Sequence, residues 1–149
     1  MFETIVWATD GSELADRALS LATALAGVHG SRIVAVHANE IVSGRLSGAP
    51  LLADEEALQA KIEEQAAALR QAGLDAEVVA VGRARTAVAE LIVEAAEAAG
   101  ADLIVVATHG RGVAAGAILG SVANDLLRLS VCPVLAVTSV KEASAGSLD

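Results

Sequence analysis

Residues 101–122, ADLIVVATHGRGVAAGAILGSV, carry the pattern that decides the fold predicted for this chain. The β-branched apolar run at 103–107 is typical of a buried strand, and the glycine-rich stretch after it leads to a helix expected over 121–129. A strand, a turn and a helix form the repeating unit of parallel α/β sheets. The stretch therefore predicts one such unit, with ligand-sized space where the strand ends.

The same alternation extends along the whole chain. Further strands are expected at 4–8, 32–38, 76–81 and 134–137, and further helices from Ser12 to the Gly27–Gly30 region, over 52–72 and over 86–99. Ser12 or Asp10 is the expected N-cap of the first helix, and 39–50 are expected to form a loop. This order predicts an α/β fold: a doubly wound, Rossmann-like, five-stranded parallel sheet with helices on both faces. We expect residues 1–140 to form one domain and 141–149 a flexible C-terminal tail.

The composition and net charge limit the classes of function that are expected. The 149 residues carry a net charge of −9, so wide contact with nucleic acid or with an anionic membrane is not expected. A small nucleotide is still compatible with this charge, because backbone N–H groups can hold phosphates. A single cysteine, Cys132, suits a reducing compartment, and residues 1–7 do not resemble a signal peptide. The expected location is the cytoplasm.

The candidate site lies after the first and fourth strands, because ligands of open parallel sheets bind beyond the carboxyl ends of the strands. Gly110 and Gly120 can take positive φ and let a ligand approach the backbone. The N–H groups of Ser121 and Val122 begin a helix, where the dipole favours a phosphate, and the Ser121 hydroxyl can contact the phosphate or cap the helix. Local chemistry alone fits an ordinary βα turn equally well, with Ser121 as N-cap.

The spacing resembles a known motif. Thr108-His109-Gly110, nine residues and Gly120-Ser121 resemble the nucleotide motif of the universal stress protein family, Gly-x-x-Gly, nine residues and Gly-Ser/Thr. The stretches IVWATDGS (5–12), ADLIVV (101–106) and CPVLAV (132–137) also resemble that family, in the same order. Ala107 stands where the motif has its first glycine, and we expect its methyl to weaken binding at worst. The resemblance implies that the chain binds ATP, with or without Mg²⁺.

The resemblance also assigns roles to individual positions. It implies that Asp10 lies near the ribose or a metal-bridged phosphate, and that the backbone of Ala38 meets adenine. The implied nucleotide-binding residues, all at the carboxyl edge of the sheet, are Ala8, Thr9, Asp10, Ala38, Ala107, His109, Gly110, Arg111, Gly120, Ser121 and Val122. No residue is assigned a catalytic role.

Other conspicuous residues have ordinary structural interpretations. We expect His29 and His37 to be structural and Trp7 to lie in the core. We expect Arg85 to be a solvated charged residue in a loop. No second His, Cys or carboxylate follows His109 at the spacing of a zinc site.

Three functions remain open from the sequence. The first is a nucleotide-dependent switch in the stress response, which the resemblance favours; the others are a slow Mg²⁺-dependent ATPase and a nucleotide-free interaction protein with a degraded site. A P-loop signature is absent from the sequence, which argues against fast catalysis. In the expected strand order 3-2-1-4-5, the strand at 134–137 lies at the sheet edge, and we expect a homodimer to form through it.

Overall fold

The computed structural model describes residues 1–39, 49–110 and 119–139, and the side chains of 49–53 are outside this description. Within the described residues, five parallel strands form one sheet in the order β3-β2-β1-β4-β5. They are β1 (Thr4–Thr9), β2 (Arg32–Ala38), β3 (Ala76–Val81), β4 (Leu103–Ala107) and β5 (Val134–Val137). The predicted fold and strand order are confirmed. Arg111, most of the expected loop at 39–50 and the expected tail at 141–149 lie outside the described residues.

Helices cover both faces of the sheet. They are α1 (Glu13–His29), α2 (Ala49–Gln71), α3 (Val88–Ala99) and α4 (Ser121–Leu129). The apolar side chains of α1 and α2 share one buried cluster with Ile5 and Ile33, and those of α3 and α4 share a second with Val6 and Val34. Neighbouring residues of a strand point to opposite faces. The strands therefore divide the core into two layers.

Small side chains let α1 lie close to the sheet. Ala18, Ala22 and Ala26 follow one another at helical spacing and are completely buried. Trp7 belongs to the same buried cluster; it is 1 % exposed and donates its indole N–H to the carbonyl of Ala15 at 2.9 Å. The prediction of Trp7 as a core residue is confirmed.

The observed bounds differ from the predicted ones in four elements, β1, α1, α2 and α3. β1 continues to Thr9, and α2 begins at Ala49, within the stretch predicted as a loop. Gly27 lies inside α1, and the helix ends at Gly30, whose φ of 69° is the left-handed conformation of a C-cap. α3 begins at Val88, two residues later than predicted. The Thr86 hydroxyl accepts a hydrogen bond from the Arg83 guanidinium at 3.0 Å, so this residue belongs to the preceding turn.

Asp102 ties the amino-terminal edge of the sheet together. Its Oδ2 accepts hydrogen bonds from the backbone N–H groups of Thr4 at 2.9 Å and Glu3 at 2.7 Å. These bonds favour the charged carboxylate and lower the pKa of Asp102 below its ordinary value. Among the described helices, none has the length and apolar character needed to cross a membrane.

Candidate functional site

The turn between β1 and α1 presents Asp10 at the carboxyl edge of the sheet. Gly11 has a φ of 77°, a left-handed conformation that favours glycine. Hydrogen bonds inside the turn fix its shape: Thr9 Oγ1 accepts from Gly11 N at 3.1 Å, and Asp10 Oδ1 accepts from Ser12 N at 3.0 Å. Ser12 then caps α1, since its hydroxyl accepts from Ala15 N at 3.2 Å. Of the two N-caps that the sequence allowed, the structure uses Ser12.

The other carboxylate oxygen of Asp10 lies against Gly110, which follows β4. A Cβ placed on Gly110 would overlap Asp10 Oδ2 and would lie 3.0 Å from its Cγ. β1 and β4 are neighbours in the sheet, and the direction of winding reverses there. Two residues that are a hundred positions apart are therefore in direct contact at the switch point. Gly110 is needed here for this close approach, and its φ is not positive.

The start of α4 is the third part of this edge. Gly120 is the N-cap, with φ −74° and ψ 164°, and it has no side chain with which to cap the helix. The first-turn N–H groups of a helix lack partners inside it. Ser121 and Val122 are the first two residues of α4, so their N–H groups belong to this first turn. Ser121 is exposed and Val122 is half-buried. The interpretation of Ser121 as an ordinary N-cap is wrong, because this residue is the first of the helix proper.

Gly120 does not adopt the positive φ that a glycine can take. Its φ is in the ordinary extended region, and a Cβ there would lie 2.9 Å from Thr108 O and 3.2 Å from His109 Cα. Gly120 N donates to Thr108 O at 2.5 Å. The glycine therefore permits close contact between the start of α4 and the end of β4. A larger residue at this position would displace the backbone itself.

The remaining predicted residues after β4 lie around this contact. His109 is half-buried, and its Nδ1 shares a 3.2 Å hydrogen bond with Thr108 Oγ1. Ala107 is 8 % exposed. By the alternation of the strand, its methyl lies on the same face as Leu103 and Val105, whose cluster packs under α1 and α2. The methyl is covered by protein on the face opposite α4.

The residues predicted from β1 and β2 are mostly buried. Ala8 is 5 %, Thr9 8 % and Ala38 9 % exposed, so these residues offer little side-chain surface. Ala38 is the last residue of β2, and the next N–H along the chain, that of Asn39, donates to Val81 O at 2.7 Å. The structure thus places Asp10, Gly110, Gly120 and Ser121 around the end of β1 and β4, and Ala38 one strand away.

Sequence reasoning missed the contribution of α2. Lys61 Nζ donates to the carbonyl of Gly11 at 2.8 Å and to Asp16 Oδ2 at 2.9 Å. Glu55 pairs with Nε2 of His37, which is 3 % exposed at the end of β2. No motif marks these contacts; the only signal is the spacing of Glu55, Leu58 and Lys61, which puts them on one side of a helix.

The residues at this edge fit a nucleotide better than a metal ion held by protein alone. Within the described residues, no three His, Cys, Asp or Glu side chains are grouped to hold a metal. Magnesium in nucleotide sites is held largely by phosphate oxygens and water, so a bound nucleotide would supply most of its ligands. The first-turn N–H groups of α4 suit the phosphates themselves. Together, the fold and this edge define a doubly wound α/β protein with an anion-compatible helix start at its switch point.

Comparisons with known proteins agree with this class. The sequence model of the universal stress protein family matches residues 1–138. A universal stress protein of Thermus aquaticus, named for its position in a QAH/OAS sulfhydrylase 3′ region, is 40 % identical over 141 residues, covering 92 % of this chain and 99 % of the relative. The chain belongs to the universal stress protein family.

Solved structures of two similar proteins contain nucleotides. A universal stress protein in complex with cAMP is 29 % identical, with a TM-score of 0.65 and coverage of 91 % of this chain and 97 % of the other. The universal stress protein of Archaeoglobus fulgidus in complex with dAMP is 26 % identical, with a TM-score of 0.66 and coverage of 92 % and 98 %.

Proposed function

We propose that this protein binds an adenine nucleotide, with ATP as the expected ligand, and acts as a nucleotide-dependent switch in the stress response. The observation that carries the proposal is the meeting of the Asp10 turn, Gly110 and the uncapped start of α4 at the switch point of the sheet. The first-turn N–H groups of α4 would hold phosphates, and the Asp10 carboxylate would accept hydrogen bonds from the ribose. The cAMP and dAMP complexes of two similar proteins support the adenine nucleotide class.

Binding, not catalysis, is the proposed activity. Phosphoryl transfer needs a residue that orients the attacking group and several charges around the transferred phosphate. Within the described part of the chain, the lysine near this edge is Lys61, and it is engaged with Gly11 and Asp16. Ala107 is compatible with binding, because the residue is buried and the alternation of the strand puts its methyl on the face opposite α4.

The direct test is to remove a phosphate donor without disturbing the helix. Ser121 is the first residue of α4, a position where proline is well tolerated, and Gly120 has the extended ψ of 164° that a residue before proline requires. Ser121→Pro removes one N–H and the hydroxyl together, whereas Ser121→Ala removes only the hydroxyl. Calorimetric titration with ATP should show affinity falling by about tenfold or more for the proline variant and less for the alanine variant.

Two results would overturn this proposal. One is unchanged ATP affinity in a folded Ser121→Pro variant. The other is a parent protein that binds none of ATP, AMP or cAMP at millimolar concentration. Mass spectrometry of the denatured protein, purified without added nucleotide, would identify the ligand that it carries from the cell.

We also propose a homodimer that forms through β5. This strand lies at the end of the sheet and pairs with β4 alone among the described strands. Ile104 N donates to Pro133 O at 2.9 Å, and alternate residues of a parallel strand face the same neighbour. The N–H of Leu135 therefore points to β4, whereas those of Val134 and Ala136 point outwards. This outward edge is open to pairing with a second copy.

Exposed apolar side chains precede this strand in the sequence. They lie at the end of α4 and in the turn that leads into β5, and comprise Leu127 (51 % exposed), Leu129 (40 %) and Val131 (80 %). All four residues of β5 are half-buried. Pairing of two copies about a twofold axis would cover both the strand edge and these side chains.

A further inference from the structure

One side of α2 contacts two segments at the carboxyl edge of the sheet, the end of β2 and the β1–α1 turn. Glu55, Leu58 and Lys61 are spaced by three residues, so their side chains share this side of the helix. Glu55 binds His37 at the end of β2. Leu58 occupies the space next to Gly11 in which a Cβ would lie. Lys61 reaches the carbonyl of the same glycine.

Lys61 is held in place by a small polar network. Its ammonium donates to Asp16 Oδ2 at 2.9 Å, and the other oxygen of Asp16 accepts from Gln65 Nε2 at 2.9 Å. Lys61 and Asp16 are 40 % and 36 % exposed in their side chains, so their ion pair alone adds little stability. The hydrogen bond to Gly11 O at 2.8 Å is the contact that reaches the site. Lys61 is one of two lysines in the chain.

Hydrogen bonds from two sources hold the β1–α1 turn. Thr9 and Asp10 bind the N–H groups of Gly11 and Ser12 from within the turn. Lys61 binds the Gly11 carbonyl from outside. One peptide group links the two contacts, since its carbonyl, Gly11 O, accepts from Lys61 and its N–H, Ser12 N, donates to Asp10 Oδ1. A change in the position of Lys61 is therefore transmitted to Asp10 through one residue.

We propose that Lys61 is a positioning residue of the nucleotide site and couples α2 to ligand binding. It acts through the Gly11 carbonyl, so that the Asp10 carboxylate is held ready for the ligand. The inference rests on the proposed function, since it deepens the account of the same site. Coupling between two sites is reciprocal. Nucleotide binding should consequently tighten the contact between α2 and the β1–α1 turn.

The test compares two variants at Lys61 with a matched control on the same helix. Lys61→Met keeps the aliphatic chain and removes the ammonium, whereas Lys61→Arg keeps a cation that can reach the Gly11 carbonyl. Arg70→Met is the control, because Arg70 Nε donates to a backbone carbonyl, that of Ala76, at 2.7 Å, at the opposite end of the sheet. All three variants are first checked for folding by circular dichroism.

Two measurements are made on each variant. The first is calorimetric ATP affinity, which should fall about tenfold in Lys61→Met, recover to within about threefold of the parent in Lys61→Arg and stay unchanged in Arg70→Met. The second is amide hydrogen exchange of Gly11 and Ser12 without nucleotide. It should be faster in Lys61→Met alone, and added ATP should slow it in the parent.

The outcomes separate this inference from the proposed function. If the parent binds ATP and Lys61→Met binds equally well, the positioning role is refuted and nucleotide binding stands. If the parent binds no nucleotide, the proposed function falls. The role of Lys61 in fixing the turn is then judged by exchange at Gly11 and Ser12, and equal rates in Lys61→Met and Arg70→Met overturn it.

Discussion

Gly110→Ala is the substitution whose effect on nucleotide binding follows most directly from the structure. The added methyl would overlap Asp10 Oδ2, and backbone strain is not involved because the φ of Gly110 is not positive. Asp10 cannot yield freely, since its Oδ1 is bound to Ser12 N at 3.0 Å. The carboxylate must therefore rotate or leave the turn, and either movement takes it from the position in which we propose that it contacts the ligand.

The size of the effect is set by the lost interaction. A hydrogen bond to a charged group contributes about 1.5 to 3 kcal/mol, which corresponds to a loss of roughly 10- to 100-fold in affinity. The fold should survive, because replacing glycine by alanine at an ordinary φ stabilises a protein by about 0.4 to 1 kcal/mol through the unfolded state. That gain offsets part of the cost of moving Asp10.

The assay is calorimetric titration of parent and variant with ATP and with AMP. Equal losses for both ligands would place Asp10 at the ribose, which they share, whereas a larger loss for ATP with Mg²⁺ would place it at a metal-bridged phosphate. Gly27→Ala is the control, because no atom lies within 4 Å of a Cβ there; its affinity should not change, and its stability should rise by about 0.5 to 1 kcal/mol. In an Asp10→Ala background, Gly110→Ala should have no further effect. Parent-like affinity of a folded Gly110→Ala protein would refute the reasoning.

Three more predictions concern assembly, turnover and acid stability. Sedimentation at tens of micromolar should give a dimer for the parent and a folded monomer for Ala136→Pro, which removes only an outward N–H, whereas Leu135→Pro should also damage the sheet; a monomeric parent would contradict the dimer. ATP turnover at saturating ATP and Mg²⁺ should stay far below about one per second, and faster turnover would mean that the protein is an enzyme. The backbone bonds from Thr4 and Glu3 lower the pKa of Asp102, so the stability they contribute is complete above the ordinary pKa of about 3.9 and is lost as the pH falls further. Urea denaturation between about pH 5 and pH 3 should therefore show a steeper loss of stability for the parent than for Asp102→Asn, and equal slopes would contradict this assignment.

The strands were predictable because their apolar runs are short, β-branched and bounded by polar or glycine residues. Four of the five observed strands have the predicted bounds, and the fifth, β1, extends one residue further to Thr9. Helix starts were harder to predict. α3 has Ala87 as N-cap, with no side-chain hydrogen bond, so the sequence carries no capping residue that would mark Val88 as its beginning.

Contacts between distant segments could not be predicted at all. The sequence marked Asp10 and Gly110 separately, but their contact depends on the pairing of β1 with β4. Lys61 was not recognised as part of the site, because its partner Gly11 is 50 residues away and no local pattern distinguishes it from other charges on α2. Such contacts follow from tertiary packing, which periodicity and turn chemistry do not encode.

The structure gives the two motif glycines a different role from the one that the sequence suggested. In the sequence, Gly110 and Gly120 suggested close approach of a ligand to the backbone. In the structure, a Cβ on either would first meet the protein itself, namely the Asp10 carboxylate in one case and the backbone of Thr108 and His109 in the other. Their spacing therefore reflects how the end of β4 is joined to the turn after β1 and to the start of α4. A motif of this kind fixes the shape of this edge, and Asp10 and the first N–H groups of α4 are the groups there that we propose as ligand contacts.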